Sequence, residues 1–274
     1  MFAFTYHRPD TVTAAVDLLR AHEEAKPLAG GQTLIATLKQ RLAAPSDLVD
    51  LSGLPALRAI TLADGRLIIG AIARHADVEA SPTVRESLPA LAALAGLIGD
   101  PAVRNRGTLG GSIANNDPSA DYPAACLALA ATIVTDRREI AAADFFTGLF
   151  ETALEPDEIV VQVSFPLGGE GAYEKFRNPA SRYAMAGVFV WRGDASLGET
   201  GVRVAVTGAG QGGVFRWSEA EAALAGAFNP AALESLGLPA DEMIADIHGG
   251  GAYRAHLVRE MARRAVARLM AAAA

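Results

Sequence analysis

Two glycine pairs, Gly30-Gly31 and Gly110-Gly111, constrain this chain more than any other feature, because each interrupts a strongly apolar stretch and demands a turn. Glycine has no Cβ, so a ligand can approach its backbone closely. In Ala29-Gly30-Gly31-Gln32-Thr33-Leu34 a short apolar approach ends at the pair. Thr33 then opens the helical spacing Leu34, Ile35, Leu38, Leu42, which Pro45 ends. The pattern predicts a strand, a tight turn and a helix. The free N–H groups and positive end of such a helix face the turn and suit a phosphate, and Thr33 adds a hydroxyl. An ordinary strand–helix turn carries the same signature.

The second pair lies in Thr108-Leu109-Gly110-Gly111-Ser112, followed by Asn115, Asn116 and Asp121. Residues 99–121 read as one long turn-rich loop between apolar walls, and a loop of that length is usually functional or disordered. Its hydroxyls, amides and carboxylate form the set a dinucleotide needs: N–H groups for a pyrophosphate, and an amide or carboxylate for sugar-like hydroxyls. A polar loop satisfied by its own Asx-turns is the other reading.

Around these loops the periodicities predict a helix over 11–22, capped by Thr11 or Asp10, and a strand at 47–51. A hairpin over 57–72 turns at Asp64-Gly65. Residues 83–98 and 122–130 read as helices, and 131–135, 158–165 and the two runs within 171–192 as strands. A further strand lies in Gly201–Gly210, and a long helix at 252–272 closes the chain. Gly208-Ala209-Gly210-Gln211-Gly212-Gly213 formally matches a Rossmann fingerprint. No helix opens at its third glycine, so a glycine-rich surface loop describes it better.

Composition narrows the function. The chain has 274 residues, half of them hydrophobic (51%), and a net charge of −7, a balance that argues against nucleic acid. The pairs Arg137-Arg138 and Arg263-Arg264 read as solvated surface. One cysteine, Cys126, holds no iron–sulfur cluster alone, and its apolar surroundings make it a buried structural thiol. The five histidines, His7, His22, His75, His248 and His256, show no metal-ligand spacing, so no metal site is expected. No apolar window reaches the roughly 20 residues of a membrane helix, and no signal peptide is visible. A cytoplasmic protein is the expectation.

The two glycine loops in this order, with IGAIARHADVE (69–79), DPAVRNRGTLGGS (100–112) and YEKFRNPASRYAMAGV (173–188), resemble the medium, FAD-binding subunits of the xanthine dehydrogenase and carbon monoxide dehydrogenase family. The likeness covers nearly the whole chain. It departs at Gln32-Thr33, where the family has His-Ser or Gln-Ser, and in detail over 176–182.

The resemblance implies an α+β fold: a vanillyl-alcohol-oxidase (PCMH)-type FAD-binding domain of two α/β subdomains, 1–53 and 54–166. A C-terminal α+β domain, 167–274, follows with a three-stranded antiparallel sheet. It places the FAD pyrophosphate on Ala29, Gly30, Gly31, Gln32, Thr33 and Leu34 and on Thr108, Gly110, Gly111 and Ser112. Asn116 and Asp121 fall at the sugar-like portion, and Lys175 and Tyr183 near the isoalloxazine. His75 falls within a family-like segment, where a capping or packing role is expected.

What the resemblance implies functionally is an electron-transfer subunit with FAD and no substrate-oxidising centre of its own. A large molybdopterin-binding subunit and a small subunit with two [2Fe-2S] clusters would be its partners, in a dimer of heterotrimers. Electrons would leave to NAD, a quinone or oxygen. A stand-alone FAD-dependent oxidoreductase would need a substrate acid or base beside the flavin. A non-enzymatic scaffold would leave both polar glycine loops unexplained.

Overall fold

In the computed structural model, which describes residues 1–193 and 200–272, the first element pairs form as the local signals require. They are β1 (Thr5–His7), α1 (Val12–Ala21), β2 (Lys26–Leu28), α2 (Leu34–Lys39) and β3 (Asp47–Asp50). Thr11 caps α1, its hydroxyl accepting from the Ala14 N–H. Ala15, Val16 and Leu19 give α1 its buried face. The three strands make a parallel sheet in the order β1-β3-β2. α2 stops short of the expected boundary at Pro45. Arg41 adopts a left-handed conformation (φ 58°) and Leu42 is left 74% exposed, so that leucine continues the spacing without joining a core.

The second region opens with the hairpin β4 (Ile60–Ala63) and β5 (Arg66–Gly70). Asp64 and Gly65 both take positive φ (51° and 70°), as a type I′ turn requires. Helices α3 (His75–Ala80), α4 (Pro82–Ser87) and α5 (Pro89–Gly96) follow. Pro89 splits the helix expected over 83–98, because proline starts a helix readily but cannot sit inside one. Residues 99–121 are not one loop. They hold two short helices, α6 (Pro101–Arg104) and α7 (Leu109–Asn115), begun by side-chain caps from Asp100 and Thr108.

Then come α8 (Tyr122–Ala128), β6 (Thr132–Thr135), β7 (Glu139–Ala141), α9 (Ala142–Phe145), β8 (Phe146–Gly148), β9 (Glu151–Thr152) and β10 (Val160–Pro166). β4, β5, β10, β6 and β7 form an antiparallel five-stranded sheet in that order. Cys126 is fully buried on α8, and burial pushes its thiol well above the ordinary range, which fits the structural role.

The last region contains β11 (Glu170–Arg177), β12 (Ala184–Arg192), β13 (Val202–Thr207), β14 (Phe215–Arg216), α10 (Ser218–Gly226) and α11 (Gly251–Ala272). The expected three antiparallel strands are present, and the two-residue β14 extends them to four. Alternation sorts their side chains onto two faces. Val188, Val190, Val204 and Val206 share a core with Leu257, Val258 and Met261 of α11. Phe189, Tyr173 and Ala205 join the core of the second region instead. This sheet is thus covered on both faces, which explains why Ala184 to Trp191 are all buried. Residues 208–213 form no dinucleotide turn, since β14 rather than a helix follows them.

Candidate functional site

Strand β2 delivers the first glycine pair to the edge of the second region, where the two loops touch. A Cβ on Gly30 would lie 2.2 Å from the Arg106 carbonyl oxygen and 2.7 Å from Gly107 Cα. Gly31 takes φ +69°, the left-handed turn that sends the chain into α2. Gly110 serves close packing as well: its Cβ would sit 2.5 Å from Ala71 Cβ, and its N–H donates to Ala71 O at 2.8 Å. Two of these glycines therefore bring protein backbone together, where the sequence suggested ligand approach.

The hydrogen-bond inventory separates the loops. In the second, the Gly111 N–H donates to Thr108 Oγ1 (3.2 Å) and the Ser112 N–H to Thr108 O (3.0 Å). In the first, the N–H groups of Gln32, Thr33 and Leu34 donate to no acceptor among the described residues. These orphan donors at the start of α2 are the natural anion contacts.

A cleft of about 630 Å³ opens beside them. Its walls come from all three sheet regions: both glycine loops, the β8–β9 turn at Phe150, and Lys175 with Ser181 to Tyr183. Every site residue expected from the sequence borders this cleft except Asn116. Asn116 ends α7 in a left-handed conformation (φ 41°) and is 2% exposed. Its amide donates to Gly148 O and Glu151 O, both at 2.8 Å. The expected contact to sugar-like hydroxyls does not fit this residue, because the protein's own hairpin takes both amide hydrogens.

Asp121 and Lys175 meet on the cleft wall. Lys175 Nζ donates to Asp121 Oδ2 at 2.9 Å and to Leu97 O at 3.1 Å, and Tyr173 donates its hydroxyl to Asp121 Oδ1 at 2.5 Å. Both charged side chains are nearly inaccessible, at 2% and 4%. Burial pushes the Asp121 carboxyl up, while Lys175 and Tyr173 hold it down. An ammonium has three donors, so one N–H of Lys175 is left for a ligand. Tyr183 stands at the mouth, 46% exposed. Burial, with Asp117 and Asp121 nearby, raises its phenol.

Sequence reasoning gave His75 no chemical task. It opens α3, packs 5.4 Å from the Tyr122 ring and borders the cleft. Burial, and then the Arg104 charge, lowers its imidazole to about 4, so it is neutral at physiological pH. Gly107 makes room for it: a Cβ there would meet His75 Nε2 at 2.5 Å. Asp117 and Phe150 also border the cleft, and no local motif marks either.

The site can hold an elongated ligand with an anionic centre. Its volume lies in the range of cofactor pockets, roughly 300–1,000 Å³. The free N–H groups and the Ser112 hydroxyl suit a pyrophosphate, the Lys175 ammonium suits the polar edge of a ring, and the apolar remainder suits flat rings.

Comparison with known proteins agrees. Residues 2–168 match the family model for the FAD-binding domain in molybdopterin dehydrogenase. The chain is 37% identical over 273 residues to the nicotine 6-hydroxylase medium subunit of Paenarthrobacter nicotinovorans, covering 96% of each chain. It is 35% identical over 277 residues to the carbon monoxide dehydrogenase medium chain of Hydrogenophaga pseudoflava, again with 96% of each covered. A solved structure of carbon monoxide dehydrogenase from Hydrogenophaga pseudoflava superposes with a TM-score of 0.85 over 96% of both chains, at 35% identity. With the glycine loops in contact and the cleft they frame, these matches show that the chain belongs to the FAD-binding family of the molybdopterin dehydrogenases, and is an oxidoreductase component whose cofactor is FAD.

Proposed function

We propose that this chain is the electron-transfer subunit of a heterotrimeric molybdenum hydroxylase. The partners would be a large molybdopterin-binding subunit and a small subunit with two [2Fe-2S] clusters, arranged as a dimer of heterotrimers in the cytoplasm. Bound FAD would supply a junction between one-electron and two-electron chemistry, between the iron–sulfur subunit and NAD, a quinone or oxygen as acceptor. The observation that carries this reading is the cleft at the meeting of both glycine loops with Lys175 and Tyr183. The lone, fully buried Cys126 supports placing the clusters on another chain. Among the described residues no helix is long and apolar enough to cross a membrane.

In this reading Gln32, Thr33 and Leu34 donate backbone N–H groups to the pyrophosphate, and Ser112 adds its hydroxyl. Asp121 holds Lys175 in place, so that its ammonium would offer a fixed positive charge to the flavin's polar edge. Tyr183 covers the mouth and controls which acceptor reaches the ring. The divisions 1–53, 54–166 and 167–274 would be the two FAD subdomains and the C-terminal domain. Each has its own sheet.

The test is the visible spectrum of the purified chain and of its co-purified complex, followed by heat release and identification of the flavin. Flavin bands and released FAD support the reading. A colourless complex that takes up no added FAD would overturn it.

A further inference from the structure

His7 and His22 are far from any motif spacing, yet the first sheet brings both to one carboxylate. His7 ends β1, His22 follows the last turn of α1, and Asp47 begins β3. His7 Nε2 lies 2.6 Å from Asp47 Oδ1, and His22 Nδ1 lies 3.5 Å from Asp47 Oδ2. The imidazoles stack at 5.8 Å with 27° between their planes. One ligand atom from each residue lies within 4.8 Å of the others. Asp47 is 5% exposed, and no lysine or arginine pairs with it among the described residues. None of the three borders the flavin cleft.

We infer that His7, His22 and Asp47 form a site for a divalent transition-metal ion of the zinc class, separate from the cofactor site. Two imidazole nitrogens and a carboxylate oxygen suit such an ion. Bonds of about 2.0–2.2 Å in tetrahedral geometry place ligand atoms roughly 3.4 Å apart. The present spacings bracket that value, and rotations about the side-chain bonds of His7 and His22 supply the adjustment. The His22 side chain is 43% exposed, so an ion could reach the trio from solvent and complete its coordination with water. The bound ion would tie the end of α1 to β1 and β3. The chain runs from His22 directly into β2 (Lys26–Leu28), the strand that delivers Gly30-Gly31, so the ion would stiffen the support of the first glycine loop. Without metal the same trio is a carboxylate hydrogen-bonded by imidazole, and the two descriptions differ in what zinc does.

The experiment uses the full chain, stripped with a chelator and desalted. Zn²⁺ is titrated against a chromophoric zinc indicator, bound metal is counted by mass spectrometry, and the melting temperature is followed. The expected result is one Zn²⁺ per chain and a raised melting temperature, since a ligand of the native state stabilises it. His22→Ala alters a solvent-facing side chain. It should weaken zinc binding at least tenfold and remove the thermal response, and Asp47→Asn should do the same. His256→Ala, on the exposed face of α11, should leave both unchanged. Absence of stoichiometric binding, or equal binding by His22→Ala and the wild type, would show an adventitious ion only and overturn the site.

Discussion

Gly30 and Arg106 meet without room for a side chain: a Cβ on Gly30 would stand 2.2 Å from the Arg106 carbonyl oxygen. The two glycine loops are thereby held as one wall of the cleft. Gly30→Ala must push them apart, at a cost of about 1–3 kcal/mol for overpacking. The expected outcome is at least tenfold weaker FAD binding, measured by flavin titration of the apoprotein. Gly226→Ala, at the end of α10 with open space around it, should bind FAD as the wild type does. Unchanged affinity in Gly30→Ala would disprove the loop-contact argument.

Lys175→Met should be the most damaging single change at the site. It leaves the 4% exposed Asp121 without its cation, and breaking a buried pair in this way costs about 3–5 kcal/mol. The double variant Lys175→Met/Asp121→Asn removes the stranded charge and should recover much of that stability in urea denaturation. Failure of the double variant to recover would mean that the two charges are not energetically coupled.

Asn116→Gly keeps the left-handed conformation that Asn116 adopts and deletes its two amide bonds to the β8–β9 hairpin. About 1–3 kcal/mol of stability should be lost. The loss should be local, seen as faster amide hydrogen exchange over residues 146–152. Protection unaltered there would refute the role assigned to Asn116.

His75 should make stability fall with acid. The unfolded chain takes up its proton near 6.5, while burial delays this in the folded chain to about 4. Between those values the unfolded state binds more protons, so its share grows as pH drops. Stability is therefore full above 6.5 and declines toward 4, by about 3 kcal/mol at ~1.36 kcal/mol per pH unit. His75→Leu should flatten this part of the profile of urea midpoint against pH. A slope equal to the wild type's would remove His75 from the account.

What the sequence determined by itself is the set of elements whose causes lie within a few residues. The Thr11 cap, the Asp64-Gly65 turn, the strand-like runs within 171–192 and the strand–turn–helix around Gly31 were all legible, because capping, φ preference and strand propensity are local. So were the cleft's glycine loops and, through a family resemblance, Lys175 and Tyr183. The caps at Asp100 and Thr108 were also local signals, and they begin the two short helices, Pro101–Arg104 and Leu109–Asn115, within residues 99–121. The tertiary structure alone decided which partner each polar group takes. Lys175 meets Asp121 across 54 residues, His7 meets Asp47 across 40, and the Asn116 amide turns to Gly148 across 32. A polar group withdrawn from water bonds to whatever the packed chain places within reach, and that neighbour is set by the meeting of sheets and loops rather than by adjacent residues.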